Sequence, residues 1–139
     1  MNALVIDGSV TIGFLLPDEQ DPLSTKVLMV IQEGWPIFAP AHWQIEVANG
    51  LIMAERRRRS SPTDTQTALH LVQTLSVTID QETASRLATD TTALARQYGL
   101  TIYDAAYLEL AMRRHAKLAT NDRDLLKAAK ACGVAVFAG

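Results

Sequence analysis

A chain of 139 residues, 48% hydrophobic and 20% charged, has the size and balance of one soluble globular domain burying roughly two-thirds of its unfolded surface. No apolar run approaches the ~20 residues of a membrane span, and the single cysteine, Cys132, excludes an internal disulfide or a cysteine-built zinc site. A net charge of −2 excludes a global basic field and leaves two local clusters, Arg56–Arg59 and Arg113, Arg114 with Lys117. The N-terminus lacks the basic flank and cleavage site of a signal peptide, so a cytoplasmic protein without a membrane partner is expected.

Ala3–Ile6 reads as a short buried strand, followed by a helix from Gly8 to about Leu16 that Pro17 stops. Asp21-Pro22 sets an N-cap before a first-turn proline and opens a helix to Glu33, with Gly34 beyond its end. Trp35–Ala39 reads as a strand. A long helix from about Ala41 ends in the arginine block, where cations complement the helix dipole. Ser61-Pro62-Thr63-Asp64 opens the next helix, which runs to about Leu75. Ser76–Ile79 alternates as a strand, and Asp80 caps a helix from Gln81 to Tyr98 closed by Gly99. Thr101–Ala116 is helical, Lys117–Ala119 a strand, Asp122–Ala131 a helix closed by Gly133, and Val134–Phe137 a last strand. Strands alternating with amphipathic helices predict an α/β fold, one domain over 1–139, with a mainly parallel central sheet. Functional side chains in such folds gather at the carboxyl ends of the strands.

Four acids stand where they can converge. Asp7 ends the first strand, although capping the next helix accounts for it alone. Asp122 follows the strand Lys117–Ala119, with Thr120 as the expected cap and Asp122 and Asp124 in the first turn. Thr101 and Asp104 have capping-box spacing, but the turn around Asp104 is apolar. Glu46 lies well inside its predicted helix. There it is opposite a face of Ile45, Val47, Ala48, Leu51 and Ile52 and beside Trp43, Asn49, Gly50 and Met53. Gly50 weakens that helix and suggests a close approach. Four carboxylates brought together repel and raise one another's pKa values, a cost that a divalent cation removes. Without cysteine or histidine partners they prefer hard Mg²⁺ or Mn²⁺.

The stretches LVIDGSV at the N-terminus, IEVANGL at Glu46, TIYDAAYLELA at Asp104 and LATNDRDLLKAA at Asp122 resemble, in this order, the PIN-domain ribonucleases. Within these they are similar to the VapC-type toxins of bacterial toxin–antitoxin pairs, over essentially the whole chain. The resemblance implies a three-layer α/β/α sandwich with a central parallel sheet of about five strands. It also implies an acidic pocket at the sheet's carboxyl edge and Mg²⁺- or Mn²⁺-dependent endoribonuclease activity. On this resemblance Asp7, Glu46, Asp104 and Asp122 are the catalytic and metal-holding acids. Ser9 and Thr120 match small hydroxyl positions near the metal, and Asn121 and Asp124 are candidates for the surrounding shell. Asp104 or Asp122 is the expected proton acceptor from the attacking water. A cognate antitoxin protein and a homodimer are the implied partners, with RNA as substrate.

The remaining cations and histidines divide less clearly. Arg113 and Arg114 end the Asp104 helix, where they complement its dipole or contact the RNA backbone. His42, His70 and His115 are too scattered for a ligand set and are expected at surfaces or helix ends. A HAD-type phosphatase is a rival, but it wants a second acid where Ser9 stands. The other rival is a non-catalytic PIN-fold module that binds RNA or protein.

Overall fold

The computed structural model of the chain describes residues 2–19 and 21–138. Four strands, β1 (Leu4–Ile6), β2 (Ile37–Ala39), β3 (Thr78–Ile79) and β4 (Lys117–Ala119), pair in parallel in the order β3-β2-β1-β4. β1 lies inside the sheet, with Leu4 opposite both Ile37 and Lys117. Its three residues are fully buried, which is why the strand is continuously apolar: a parallel strand covered on both faces has no polar side to show. The expected fifth strand, Val134–Phe137, is reduced to a parallel bridge between Leu118 and Val136. Only two backbone bonds, Leu118 to Ala135 and Phe137 to Leu118, tie it to β4, each at 2.9 Å.

The helices are α1 (Gly8–Leu15), α2 (Pro22–Gln32), α3 (Trp43–Arg56), α4 (Pro62–Thr74), α5 (Thr83–Arg86), α6 (Thr92–Tyr98), α7 (Ile102–Arg114) and α8 (Arg123–Ala131). Side-chain caps start five of them. Asp7, Asp21, Ser61, Thr101 and Asp122 accept backbone N–H bonds from the first turns of α1, α2, α4, α7 and α8. The expected continuous helix from Gln81 to Tyr98 is broken, because a π-helical stretch, Leu87–Thr91, separates α5 from α6. Threonines are poor interior helix residues there, and the Thr92 hydroxyl bonds the Thr89 carbonyl at 3.1 Å. Asp80 does not cap this helix by position. Its carboxylate instead accepts the Thr83 hydroxyl at 2.9 Å and the Arg113 guanidinium.

Helices flank the sheet. α7 is buried from Ala105 to Ala111 and packs on β1 and β4, while α1 packs between α2 and α3. Trp43, Tyr107, Leu108, Leu110, Leu118 and Leu125 are among the largest buried side chains of the core around β1. Two glycines set how closely α1 is approached. A Cβ on Gly13 would collide with the Ser24 side chain of α2, and one on Gly50 would meet Ile12 Cδ1 at 2.7 Å. The close approach suggested by Gly50 is therefore between α3 and α1.

Candidate active site

Asp7 directly follows β1, and Asp122 follows β4 on the same carboxyl edge of the sheet. Glu46 lies in the first turn of α3 and Asp104 in the first turn of α7. All four acids line one cavity of about 460 Å³, shared with Gly8, Ser9, Ile12, Glu19, Tyr107 and Asn121. The structure thus brings together the four acids that the sequence singles out.

Asp7 is buried, and its carboxylate is held at both oxygens. Oδ1 accepts the Ser9 hydroxyl at 2.7 Å and the Val10 N–H at 3.1 Å, while Oδ2 accepts the Thr120 hydroxyl. Capping and facing the cavity are compatible for this residue. Burial, reinforced by the Asp122 charge, raises its pKa against the pull of those three hydrogen bonds. Thr120 is not the cap of α8. Its hydroxyl is directed to Asp7 and also accepts the Asp122 N–H at 3.0 Å, so Asp122 caps α8 by accepting Leu125 N–H at 2.8 Å.

Asp104 carries the clearest sign of a concentrated negative field. Burial first, then the charges of Asp122, Glu46 and Asp7, push its pKa up to about 6, with the Thr101 hydroxyl opposing. Glu46 behaves in the opposite way. Its partial burial is outweighed by the His42 ring and the Tyr107 hydroxyl, which hold its pKa below the usual value. Both contacts fall on one oxygen, Oε1, at 3.0 Å from His42 Nε2 and 2.7 Å from the Tyr107 hydroxyl. The Tyr107 hydroxyl is itself pushed up by burial and by Glu46, so it stays a donor.

The expected setting of Glu46 needs correction. α3 starts at Trp43 rather than near Ala41, which puts Glu46 in the first turn, where the helix dipole also favours an acid. Trp43 faces the core and donates its indole N–H to Thr11 at 3.0 Å. Ile45 is 73% exposed, so the buried face of α3 is narrower than the apolar pattern implies.

His42, Tyr107 and Glu19 were not singled out as site residues by sequence. His42 is four residues before Glu46 and Tyr107 three after Asp104, spacings that place side chains on one helix face and are the usable signal. Glu19 carries no such signal, because its place depends on how the chain folds after α1. It lines the cavity and pairs with Arg59 at 3.0 Å.

Asn121 belongs to the cavity, with its backbone N–H on Ser9 Oγ at 2.9 Å and its amide on Asp21. Asp124 does not; it is exposed and lines a separate hollow with Gln97, Tyr98 and Gly99. Neither Arg113 nor Arg114 lines the acidic cavity. Arg113 is enclosed by Asp80 at 2.7 Å and Glu109 at 2.8 Å, and those acids raise its pKa. Arg114 lies over the Phe38 ring, 4.6 Å from its centroid. Arg113 is thus engaged in ion pairs, and the exposed Arg114 in a stacking contact, within the chain.

The donor set suits a hard divalent cation: the side chains are carboxylates, no Lys or Arg lines the cavity among the described residues, and like charge raises Asp104. The acids surround an open cavity rather than a closed cage. Among the described residues no three His, Cys, Asp or Glu side chains stand at metal-holding spacing. Asp7, Glu46, Asp104 and Asp122 are the residues that would share an ion.

The family model for the PIN domain matches residues 4–131 of this chain. Ribonuclease VapC3 of Pyrobaculum aerophilum is 30% identical over 122 residues, covering 88% of this chain and 91% of that protein. Among solved structures, VapC20 of Mycobacterium tuberculosis, a sarcin-ricin loop cleaving toxin, aligns with a TM-score of 0.65 at 15% identity. That alignment covers 90% of this chain and 94% of VapC20. VapBC2 of Rickettsia felis, bound to a DNA fragment from its promoter, aligns with a TM-score of 0.64 at 14% identity over 97% of each chain. Both share the fold described above.

Proposed function

The chain belongs to the PIN-domain family, and from that premise we propose that it is a divalent-metal-dependent endoribonuclease, the toxin of a toxin–antitoxin pair. The observation that carries the reading is the convergence of Asp7, Glu46, Asp104 and Asp122 on one cavity at the carboxyl edge of the sheet. The identity with a ribonuclease over most of both chains supports the reaction class.

Asp7 is the fixed corner of the site, because Ser9, Val10 and Thr120 leave its carboxylate one orientation. Glu46 is gripped by one oxygen, which frees the other for the cavity. Asp7, Glu46, Asp104 and Asp122 would hold Mg²⁺ or Mn²⁺, which would supply positive charge for an anionic phosphodiester and lower the pKa of bound water. Asp104, which lines the cavity from the first turn of α7, is placed to accept the proton of the attacking water. Asp122 stands beside it as the second candidate for that role. Tyr107 keeps its proton and positions Glu46 without entering the chemistry.

A protein antitoxin, a homodimer and a cytoplasmic setting complete the reading. Toxin–antitoxin complexes among the structural neighbours support the first, and no described helix is long and apolar enough to cross a membrane. The test is incubation of structured RNA with the purified chain in Mg²⁺ or Mn²⁺, with and without EDTA, beside Asp7→Asn. Metal-dependent cleavage that the substitution abolishes is the expected result. RNA left intact in both metals sinks the reading, and hydrolysis of p-nitrophenyl phosphate in its place points to a phosphatase.

A further inference from the structure

The chain's two basic clusters are used differently. Arg113 and Arg114 are occupied within the fold by carboxylates and by the Phe38 ring. In the other cluster, at the end of α3, three of the four arginines are without such partners among the described residues. Arg56, Arg57 and Arg58 are exposed and have no carboxylate partner among the described residues; Arg56 reaches only the Met53 sulfur, at 3.9 Å.

Helix-end electrostatics favours cations in this position, but that accounts for arginines in the last turn and not for Arg58. Arg58 has φ of 59°, in the left-handed region where a helix end favours glycine or asparagine. Gly99 closes α6 in that conformation. Arg58 holds an exposed guanidinium in that backbone state, as His115 holds an imidazole at the end of α7.

The block also adjoins the acidic cavity. Arg59 forks onto Asp18 and Glu19, each at 3.0 Å, and Glu19 lines the cavity. Arg59 therefore neutralises acids at the rim that would otherwise repel a phosphate. α3 itself holds Glu46 in its first turn and Arg57 just past its end, about 16 Å apart along the axis. A few nucleotides of an extended strand span that distance.

We propose that Arg56, Arg57 and Arg58 form a phosphate-binding track for single-stranded RNA whose scissile bond lies at the acidic cavity, an inference that rests on the nuclease reading above. The contacts are to the backbone, so they bind without reading sequence. They give a chain of net charge −2 a local purchase on a polyanion.

Anisotropy of a fluorescein-labelled single-stranded RNA, measured in EDTA over a salt series, tests the track. The variant carrying Arg56→Gln, Arg57→Gln and Arg58→Gln is compared with the wild-type chain. The expected result is about tenfold or more weaker binding, with a log–log salt slope shallower by about 2 for three lost phosphate contacts. Arg58→Gly separates binding from folding: its melting temperature holds or rises, while its RNA affinity falls. Unchanged affinity and slope in the triple variant overturn the track. So does a triple variant that keeps RNA binding but loses affinity for poly-glutamate, which assigns the arginines to an acidic protein partner. Cleavage in Mn²⁺ is scored on the same RNA. A chain that binds through these arginines and never cleaves keeps the track and sinks the nuclease reading; one that cleaves while variant binding is unaltered sinks the track alone.

Discussion

Asp104 stores the cost of a carboxylate that is partly buried and set among three others, a cost that a cation would relieve. Its pKa rises from 3.8 to about 6 on folding, so between those values the folded chain holds a proton that the unfolded chain has lost. Stability of the metal-free protein therefore falls as pH rises through that window, and above it the full cost remains. A shift of this size is worth about 3 kcal/mol undiscounted, and about 1–2 kcal/mol once solvent screening of a half-buried group is allowed for. Asp104→Asn should raise the melting temperature of the metal-free chain by about 3–8 °C at neutral pH, lose most of that gain near pH 4, and abolish RNA cleavage. Thermal scans across pH, with and without Mg²⁺, check it; a variant less stable than wild type without metal at neutral pH would contradict the repulsion. Asp7, Asp104 and Asp122 were legible because each follows a strand or opens a helix in an apolar frame, and Glu46 because it sits among Trp43, Asn49, Gly50 and Met53 away from the apolar face of its helix. The grip of Tyr107 on Glu46 was not, since it joins two helices across 61 residues of sequence.

Helix starts were legible because a cap is a local device: Asp21-Pro22 and Ser61-Pro62 announce α2 and α4 without help from the fold. Features that depend on neighbours were not. Thr120 looked like the cap of α8 until β1 placed Asp7 beside it, and the π-helical stretch has no signature that distinguishes it from ordinary helix. The packing of α1 is another such feature, and its two glycines respond differently to a methyl group. At Gly13 a Cβ collides with Ser24 Oγ and lies 2.8 Å from Ser24 Cβ, atoms fixed by the Asp21 cap. Gly13→Ala should therefore cost about 1–3 kcal/mol despite the ~1 kcal/mol that alanine gains in a helix. At Gly50 the methyl meets only the flexible tip of Ile12, so Gly50→Ala should be close to neutral. Urea unfolding of both variants decides it, and equal losses would show that the Gly13–Ser24 contact does not pin α1.

On the scale of the whole molecule, Arg113 joins α7 to the segment after β3 by bonding Asp80 and Glu109, whose side chains are 1% and 6% exposed. Arg113→Met leaves two buried carboxylates without a cation and should cost about 3–5 kcal/mol near neutral pH. Burial alone would raise the pKa of Asp80, but Arg113, Thr83 and the Glu82 backbone hold it below the usual value. Its contribution is therefore complete above about pH 4 and is lost as pH falls through the depressed value. The gap between wild type and variant should narrow in acid, and denaturation followed across pH measures it; a gap that stays constant refutes the ion pair. The order of strands and helices could be read from sequence, but the allocation of arginines could not, because partners such as Asp80 are brought to Arg113 only by the closed fold. The sheet order has a further consequence in time. β1 pairs with β4, Leu4 against Lys117, and Asp7 receives its hydroxyl bond from Thr120. During synthesis, at about 5–20 residues per second, Asp7 emerges first and waits for nearly the whole chain before Asp122 can join it. A nascent chain is thus without its complete acid set while most of it is being made, and the machine making it is itself built of RNA.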